Sequence, residues 1–346
     1  MKKISIALLA VFAGALLFAG GAKESSMSGG EVTVYSSRHY DSDAMVFEAF
    51  TKKTGIKVNV VQDKDVSALI KKLELEGKDS PADVFITVGI GDLYQAKKKD
   101  LLQPFTSKVV KANIPAQFMD KDNFYTGLTY RARVLVYDPS KTDMKMLSTY
   151  EDLADPKWKG KILTRSSSSS YNKHLIAFMI AKHGREEALK WTKGLVANFA
   201  REPKGNDRDQ AKTILSGVGE VGIMNSYYMG KMAVSDDPVQ KEVAQKLKLF
   251  FPNQGQGGVH ANLSGAGITK YAKNKANAQK LIEFLTGADA QKVFTEQNFE
   301  FPANPKTEMP ELLKSWGKIE ISAIDFDKIG ENLEEAVVVA GEANFN

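Results

Sequence analysis

Phe124-Tyr125-Thr126-Gly127-Leu128-Thr129-Tyr130-Arg131-Ala132-Arg133-Val134-Leu135-Val136-Tyr137 reads as one long strand near the middle of the chain, stopped by Asp138-Pro139. On its N-terminal side, Glu31 to Ser37, Ile56 to Val61 and Ala82 to Val88 have strand character. Helical patterns separate them, one beginning near Ala44 and ending at Thr54-Gly55, the other from Ser67 to Glu76. That βαβαβ alternation predicts a parallel sheet with both faces covered. Ser42 and Asp43 are available to cap the first helix, and Met45, Phe47 and Phe50 to form its apolar face.

On the C-terminal side a second α/β set follows. Helices are expected over Thr149 to Ala154, His174 to Lys182, Arg185 to Asn198 and Asp207 to Ser216, and strands over Lys161 to Thr164, Val221 to Met224 and Lys248 to Phe251. Val259 to Ile268 reads as a strand interrupted at Ser264-Gly265, and the last third is helical over Ala276 to Leu285, Ala288 to Gln297 and Leu333 to Ala343. The long strand therefore connects two lobes. The chain crosses at about Gly127 to Arg131 and returns at about Asn262 to Gly265, giving lobe one residues 31–128 with 265–305 and lobe two 132–260 with 306–346. Hinge strands fall at 127–131 and 262–265.

A chain of 346 residues suits about two domains. With 43% apolar and 26% charged residues it is neither disordered nor a polytopic membrane protein. Residues 1–22 read as an export signal: Lys2 and Lys3, an apolar run from Ile4 to Phe18, then Gly20-Gly21-Ala22. The Ser/Gly-rich stretch 23–30 is a linker. Without Lys2 and Lys3 the net charge falls from +5 to about +3, which argues against nucleic acid. No cysteine is present, so thiolate chemistry and a lipid-modified cysteine are both excluded for the sequence as written.

Chemistry-bearing residues fall at the ends of these elements. In open α/β sheets ligands bind beyond the carboxyl ends of strands, where His39 and Tyr40 follow strand one. Tyr171 follows the serine run Ser166 to Ser170, and Tyr227-Tyr228 follow the strand at Val221 to Met224, with Gly230 read as a bend. A Tyr-Tyr pair alone packs one ring in a core and the other over a sheet edge. Five such residues from both lobes instead suggest a hard cation that displaces phenol protons, with neutral imidazole a compatible donor for iron. The serines precede a helix start, where N–H groups and hydroxyls hold a carbonate or phosphate or simply cap the helix. Arg38, Arg131, Arg133 and Arg165 would offset phenolate charge or hold that anion.

Enzyme readings are weaker. Ser166 to Ser170 with His174 lacks a Gly-x-Ser-x-Gly elbow, and Gly89-Ile90-Gly91 lacks the third glycine of a nucleotide loop. His183 reads as a helix C-terminal residue and His260 as a packing or supporting one.

Eight motifs together carry a resemblance. They are Val34-Tyr35-Ser36-Ser37-Arg38-His39-Tyr40, Ser80-Pro81-Ala82-Asp83-Val84, Tyr130-Arg131-Ala132-Arg133-Val134, Leu153-Ala154-Asp155-Pro156-Lys157-Trp158-Lys159-Gly160, Arg165-Ser166-Ser167-Ser168 with Tyr171-Asn172, Asn198-Phe199-Ala200-Arg201-Glu202-Pro203 with Gly205-Asn206-Asp207, Tyr227-Tyr228-Met229-Gly230 and Phe250-Phe251-Pro252-Asn253-Gln254. With them nearly the whole mature chain resembles the ferric-ion-binding proteins of bacterial ABC transporters, in the subgroup rich in His and Tyr ligands. The resemblance implies a two-lobed periplasmic-binding-protein type 2 fold with mixed sheets, helices on their faces and a two-strand hinge. It also implies Fe(III) held by Tyr40, Tyr171, Tyr227 and Tyr228, with His39 a ligand in some members and displaced in others. A synergistic anion such as carbonate, a periplasmic or otherwise exported monomer, and permease and ATPase partners are further expectations. Gly89 and Asp92 depart from the acidic-then-basic pattern usual in relatives. The competing readings are a carrier for an organic solute such as a polyamine and a surface interaction protein.

Overall fold

The computed structural model describes residues 29–346, so the expected export signal and most of the linker lie outside the described residues. The chain runs β1 (Glu31–Ser36), α1 (Asp41–Thr54), β2 (Lys57–Gln62), α2 (Val66–Glu76), β3 (Val84–Thr87), α3 (Ile90–Lys98), β4 (Leu102–Gln103), α4 (Lys108–Asn113) and the long β5 (Tyr125–Tyr137). It continues through β6 (Ile162–Leu163), α5 (Ser170–His183), α6 (Arg185–Ala197), α7 (Asp207–Leu215), β7 (Val221–Asn225), α8 (Tyr227–Ala233), α9 (Pro238–Lys246) and β8 (Lys248–Phe250). Then come β9 (Ala261–Thr269), α10 (Lys275–Leu285), α11 (Ala288–Asn298), β10 (Phe301–Pro302), α12 (Glu311–Ser315), α13 (Phe326–Glu331) and α14 (Leu333–Glu342).

The main strand order is β2-β1-β3-β9-β5-β7-β6. β1 lies parallel to β2 and β3, as the alternation predicts, whereas β9 runs antiparallel to both β3 and β5. In β5, Tyr125 to Gly127 pair with Gly267 to Gly265 and Tyr130 to Ala132 with Leu263 to Ala261, with a register shift between them. Beyond that, Arg133 to Tyr137 pair with β7. The shift falls within the stretch where the sequence places the crossing. β9 is continuous where an interruption was expected at Ser264-Gly265. The Ser264 hydroxyl is taken up by Arg38 and Arg131, and a Cβ on Gly265 would lie 2.7 Å from Leu93 and 2.9 Å from the Thr126 carbonyl. Serine and glycine there serve a neighbour and a close approach, not a turn.

Two large apolar clusters form around these sheets. One gathers Val32, Phe50, Phe85, Leu93, Leu281 and Phe294 among others, the second Val134, Trp158, Phe178, Trp191, Met224 and Val339 among others. α1 contributes Val46, Phe47 and Phe50, while Met45 is exposed, because residues two apart on a helix point about 200° from each other and Met45 cannot share the face of Phe47. Ser42 and Asp43 do not cap it. Tyr40 occupies the cap position, and the Asp43 carboxylate is instead bound by Arg38. The helix expected over Thr149 to Ala154 is a single 3-10 turn, Glu151–Ala154, cut short before Pro156. α13 ties the clusters together: the Gln95 amide of α3 donates to the Gly330 carbonyl at 2.7 Å, the Tyr125 hydroxyl donates to Asp327, and Lys121 pairs with Asp325.

Candidate metal centre

A third, smaller cluster sits between the two large ones: Tyr40, Val88, Tyr171, Tyr227 and Phe299, with Tyr228 and Leu312 against it. Each tyrosine stands at the start of a helix. Tyr40 precedes α1, Tyr171 is the second residue of α5, and Tyr227 and Tyr228 open α8 directly after β7. This last placement corrects the expected turn. Gly230 lies inside α8, where an added Cβ would come within 2.2 Å of the Phe299 ring, so glycine is required by a close approach rather than a bend.

The four phenols converge from both sides. The Tyr40 and Tyr171 hydroxyl oxygens are 3.3 Å apart. The Tyr40 and Tyr227 rings meet edge to face at 5.8 Å, and the Tyr227 and Tyr228 rings lie 4.1 Å apart. His39 is exposed at the rim, its ring 4.9 Å from that of Tyr40 and its Nδ1 3.4 Å from the Ser37 carbonyl oxygen. Partial desolvation, with Lys64 and Arg38 nearby, lowers its pKa and favours the neutral imidazole a metal needs. Burial pushes Tyr40 and Tyr227 well above the usual phenol range, reinforced by Tyr171 beside each, and burial also raises Tyr228, with Asp207 adding to it. These phenols are therefore neutral until a strong cation displaces their protons.

Arginines ring the cluster. Arg38 lies 4.8 Å from the Tyr40 ring centre, Arg131, Arg133 and Arg165 lie 5.8, 5.9 and 5.5 Å from that of Tyr171, and Arg208 lies 5.0 Å from that of Tyr228. The five guanidiniums face three carboxylates. Glu300 pairs with Arg38 at 2.8 Å and Arg131 at 2.6 Å, Asp43 with Arg38 at 2.8 Å, and Asp207 with Arg133 at 2.7 Å and Arg165 at 3.1 Å. The surplus positive charge favours ionised phenols.

Arg38 cannot also hold an anion, because Asp43, Glu300, Thr129 and Ser264 occupy its donors. The Nε groups of Arg131, Arg133 and Arg165 are buried without a partner among the described residues. In the serine run, Ser166 and Ser168 hydroxyls bond each other at 2.9 Å, and Ser169, at the cap position of α5, makes no side-chain cap bond. Residues 170–173 are helical, so α5 begins four residues before the expected His174. His183 does close that helix, with Nε2 2.6 Å from Glu151, and His260 is buried against Phe178, where burial and then His174 lower its pKa to about 3.

Arg208, Glu300 and Phe299 were not identified from sequence. Phe299 holds a left-handed backbone (φ 56) between α11 and β10, a position no residue-type rule assigns to phenylalanine. Among the described residues no cluster of three or more His, Asp and Glu side chains is arranged to hold a metal, which leaves the phenols as the converging donors. Beside the phenols, a cavity of about 800 Å3 opens between α2 and α3 on one side and α5 and α14 on the other, and none of the four tyrosines lines it.

Residues 79–332 match the family model described as bacterial extracellular solute-binding protein. The chain is 41% identical to "Iron uptake protein A1" of Synechocystis, over 91% of this chain and 87% of that one. It is 29% identical to the "Major ferric iron-binding protein" of Neisseria meningitidis, over 87% and 89%. A Trichodesmium structure in complex with iron and citrate superposes with a TM-score of 0.87 at 41% identity, over 91% of this chain and all of that one. A ferric binding protein from Campylobacter jejuni gives the same TM-score, identity and coverage.

Proposed function

The chain belongs to the bacterial extracellular solute-binding protein family, and from that membership we propose that it is the exported carrier that takes up Fe(III) for an ABC transporter. The fold is the two-lobed type 2 form of periplasmic binding proteins. The observation that carries the reading is the meeting of four phenols, largely buried and set at helix starts on both sides, among surplus guanidiniums. Tyr40 from the first lobe and Tyr171, Tyr227 and Tyr228 from the second are the proposed ligands. His39, at the rim, is the proposed fifth donor, and an anion at the free Nε of Arg131 is proposed to complete the coordination.

Oxygen donors and high charge select a hard trivalent ion over zinc or copper. Binding by both lobes holds the cleft shut, and opening it, or reducing the iron, releases the load to a permease and its ATPase. A polyamine carrier would line its cleft with acids and tryptophans. Trp158 and Trp191 belong instead to the second-lobe core, and Trp316 packs at a tilt against Phe251 and edge to face against Phe301. Adding ferric citrate to the iron-free protein is expected to raise a broad visible phenolate-to-iron band that the Tyr227→Phe, Tyr228→Phe double variant lacks. A wild type that stays colourless overturns the reading.

A further inference from the structure

The sequence Gly89-Ile90-Gly91-Asp92 plays no part in the phenol cluster, yet it is where α3 of the first lobe meets α5 of the second. An added Cβ on Gly89 would stand 2.5 Å from His174 Nε2 and 3.1 Å from Asp92 Oδ2, and one on Gly91 would stand 3.1 Å from the same Nε2. Both glycines therefore allow a second-lobe imidazole to enter the first lobe. His174 Nδ1 lies 2.8 Å from the Ser170 carbonyl oxygen, which can only accept, so Nδ1 carries the hydrogen and a neutral ring presents a bare lone pair at Nε2. That Nε2 has no partner, nor has the buried Oδ2 of Asp92. Two acceptors thus flank one glycine across the lobe boundary. They stand too far apart here to bond each other, and a proton taken up by the pair draws them together into a charge-assisted hydrogen bond.

We propose that Asp92 and His174 form a proton-operated latch, in which uptake of one proton joins the two lobes and stabilises the closed cleft. The proposal rests on the reading of this chain as a two-lobed binding protein that opens and closes. The direction follows from linkage: the closed form binds the extra proton, so closure strengthens as pH falls and weakens as it rises. Burial raises the Asp92 carboxyl, against the opposing charges of His174 and Lys173, which is the direction the latch requires. The other charged groups facing the pair line the adjoining cavity. Lys64, Asp65, Lys71, Lys99 and Glu74 stand on the first-lobe side and Lys173 and Glu334 on the second, with Lys99 already 2.6 Å from Glu74. His260, behind His174, stays neutral because burial lowers its pKa to about 3.

Small-angle X-ray scattering of the iron-free mature chain measures the ratio of closed to open forms without using the metal. The wild-type ratio is expected to be about tenfold higher at about pH 5.5 than at about pH 8, the effect of one pKa unit between the two forms. Asp92→Asn, which supplies a permanent N–H to Nε2, is expected to be closed at both pH values, and His174→Ala to lose the pH dependence. A wild-type change below about twofold, or a His174→Ala protein that keeps the wild-type dependence, overturns the latch. Circular dichroism checks that each variant is folded, and either variant alone suffices. Absence of the ferric colour band would overturn the iron reading and leave this measurement standing.

Discussion

Replacing Glu300 by Gln removes the one carboxylate shared by Arg38 and Arg131, and it should be among the most destabilising single changes near the cleft. Glu300 is fully buried, 2.8 Å from one guanidinium and 2.6 Å from the other. Burial opposes its ionisation, but Arg38 and then Arg131 outweigh that and hold its carboxyl down at about 2. Against an unfolded value near 4.3, this is about 3 kcal/mol of stability. It is present in full above the unfolded value and is lost as pH falls from about 5 towards 2. Leaving two buried guanidiniums undercompensated costs a similar amount, about 3–5 kcal/mol. With a urea dependence of about 3 kcal/mol per M, the unfolding midpoint should fall by about 1–1.7 M at neutral pH. The loss should shrink as the wild type is titrated below about pH 4. A midpoint shift under about 0.3 M at pH 7 would refute the buried-triad account. Glu300 also raises the Tyr40 phenol, so a folded Glu300→Gln protein should keep its ferric colour band.

Because burial keeps Tyr40, Tyr227 and Tyr228 protonated, loading with Fe(III) should release about three to four protons, seen with an indicator dye in weak buffer, and the logarithm of affinity should rise with pH by the same number. Release of one proton or fewer would count against multiple phenolate ligands. Gly230→Ala drives a methyl into Phe299, so it should cost about 1–3 kcal/mol in thermal melts and weaken ferric binding by displacing the start of α8. A variant with wild-type melting and wild-type colour would show that the contact relaxes freely.

Much of the candidate site's geometry was legible because its residue types are uncommon together and fall where strands end: Tyr40 after β1, and Tyr227 and Tyr228 after β7. The long β5 likewise declared itself through an unbroken run up to Asp138-Pro139. What escaped detection depends on packing between distant segments. Asp43 looks like a helix cap in isolation, yet its carboxylate goes to Arg38, which Glu300, more than 250 residues later, also binds. Gly230 carries two readings, freedom to bend and lack of bulk, and only the position of the Phe299 ring decides between them. Arg208 gave no signal, since its place over the Tyr228 ring follows from how α7 is laid against α8.

The placement of β9 between β3 and β5 has a consequence for how the molecule comes into being. Val84 to Thr87 find their antiparallel neighbours at Ile268 to Gly265, far along the chain. The lobe that is synthesised first therefore cannot be completed early, because its sheet lacks an inner strand until nearly four-fifths of the chain has appeared. Long-range pairing of this kind slows folding. In a member of an extracellular family, a first lobe that cannot close early leaves that part of the emerging chain open for longer.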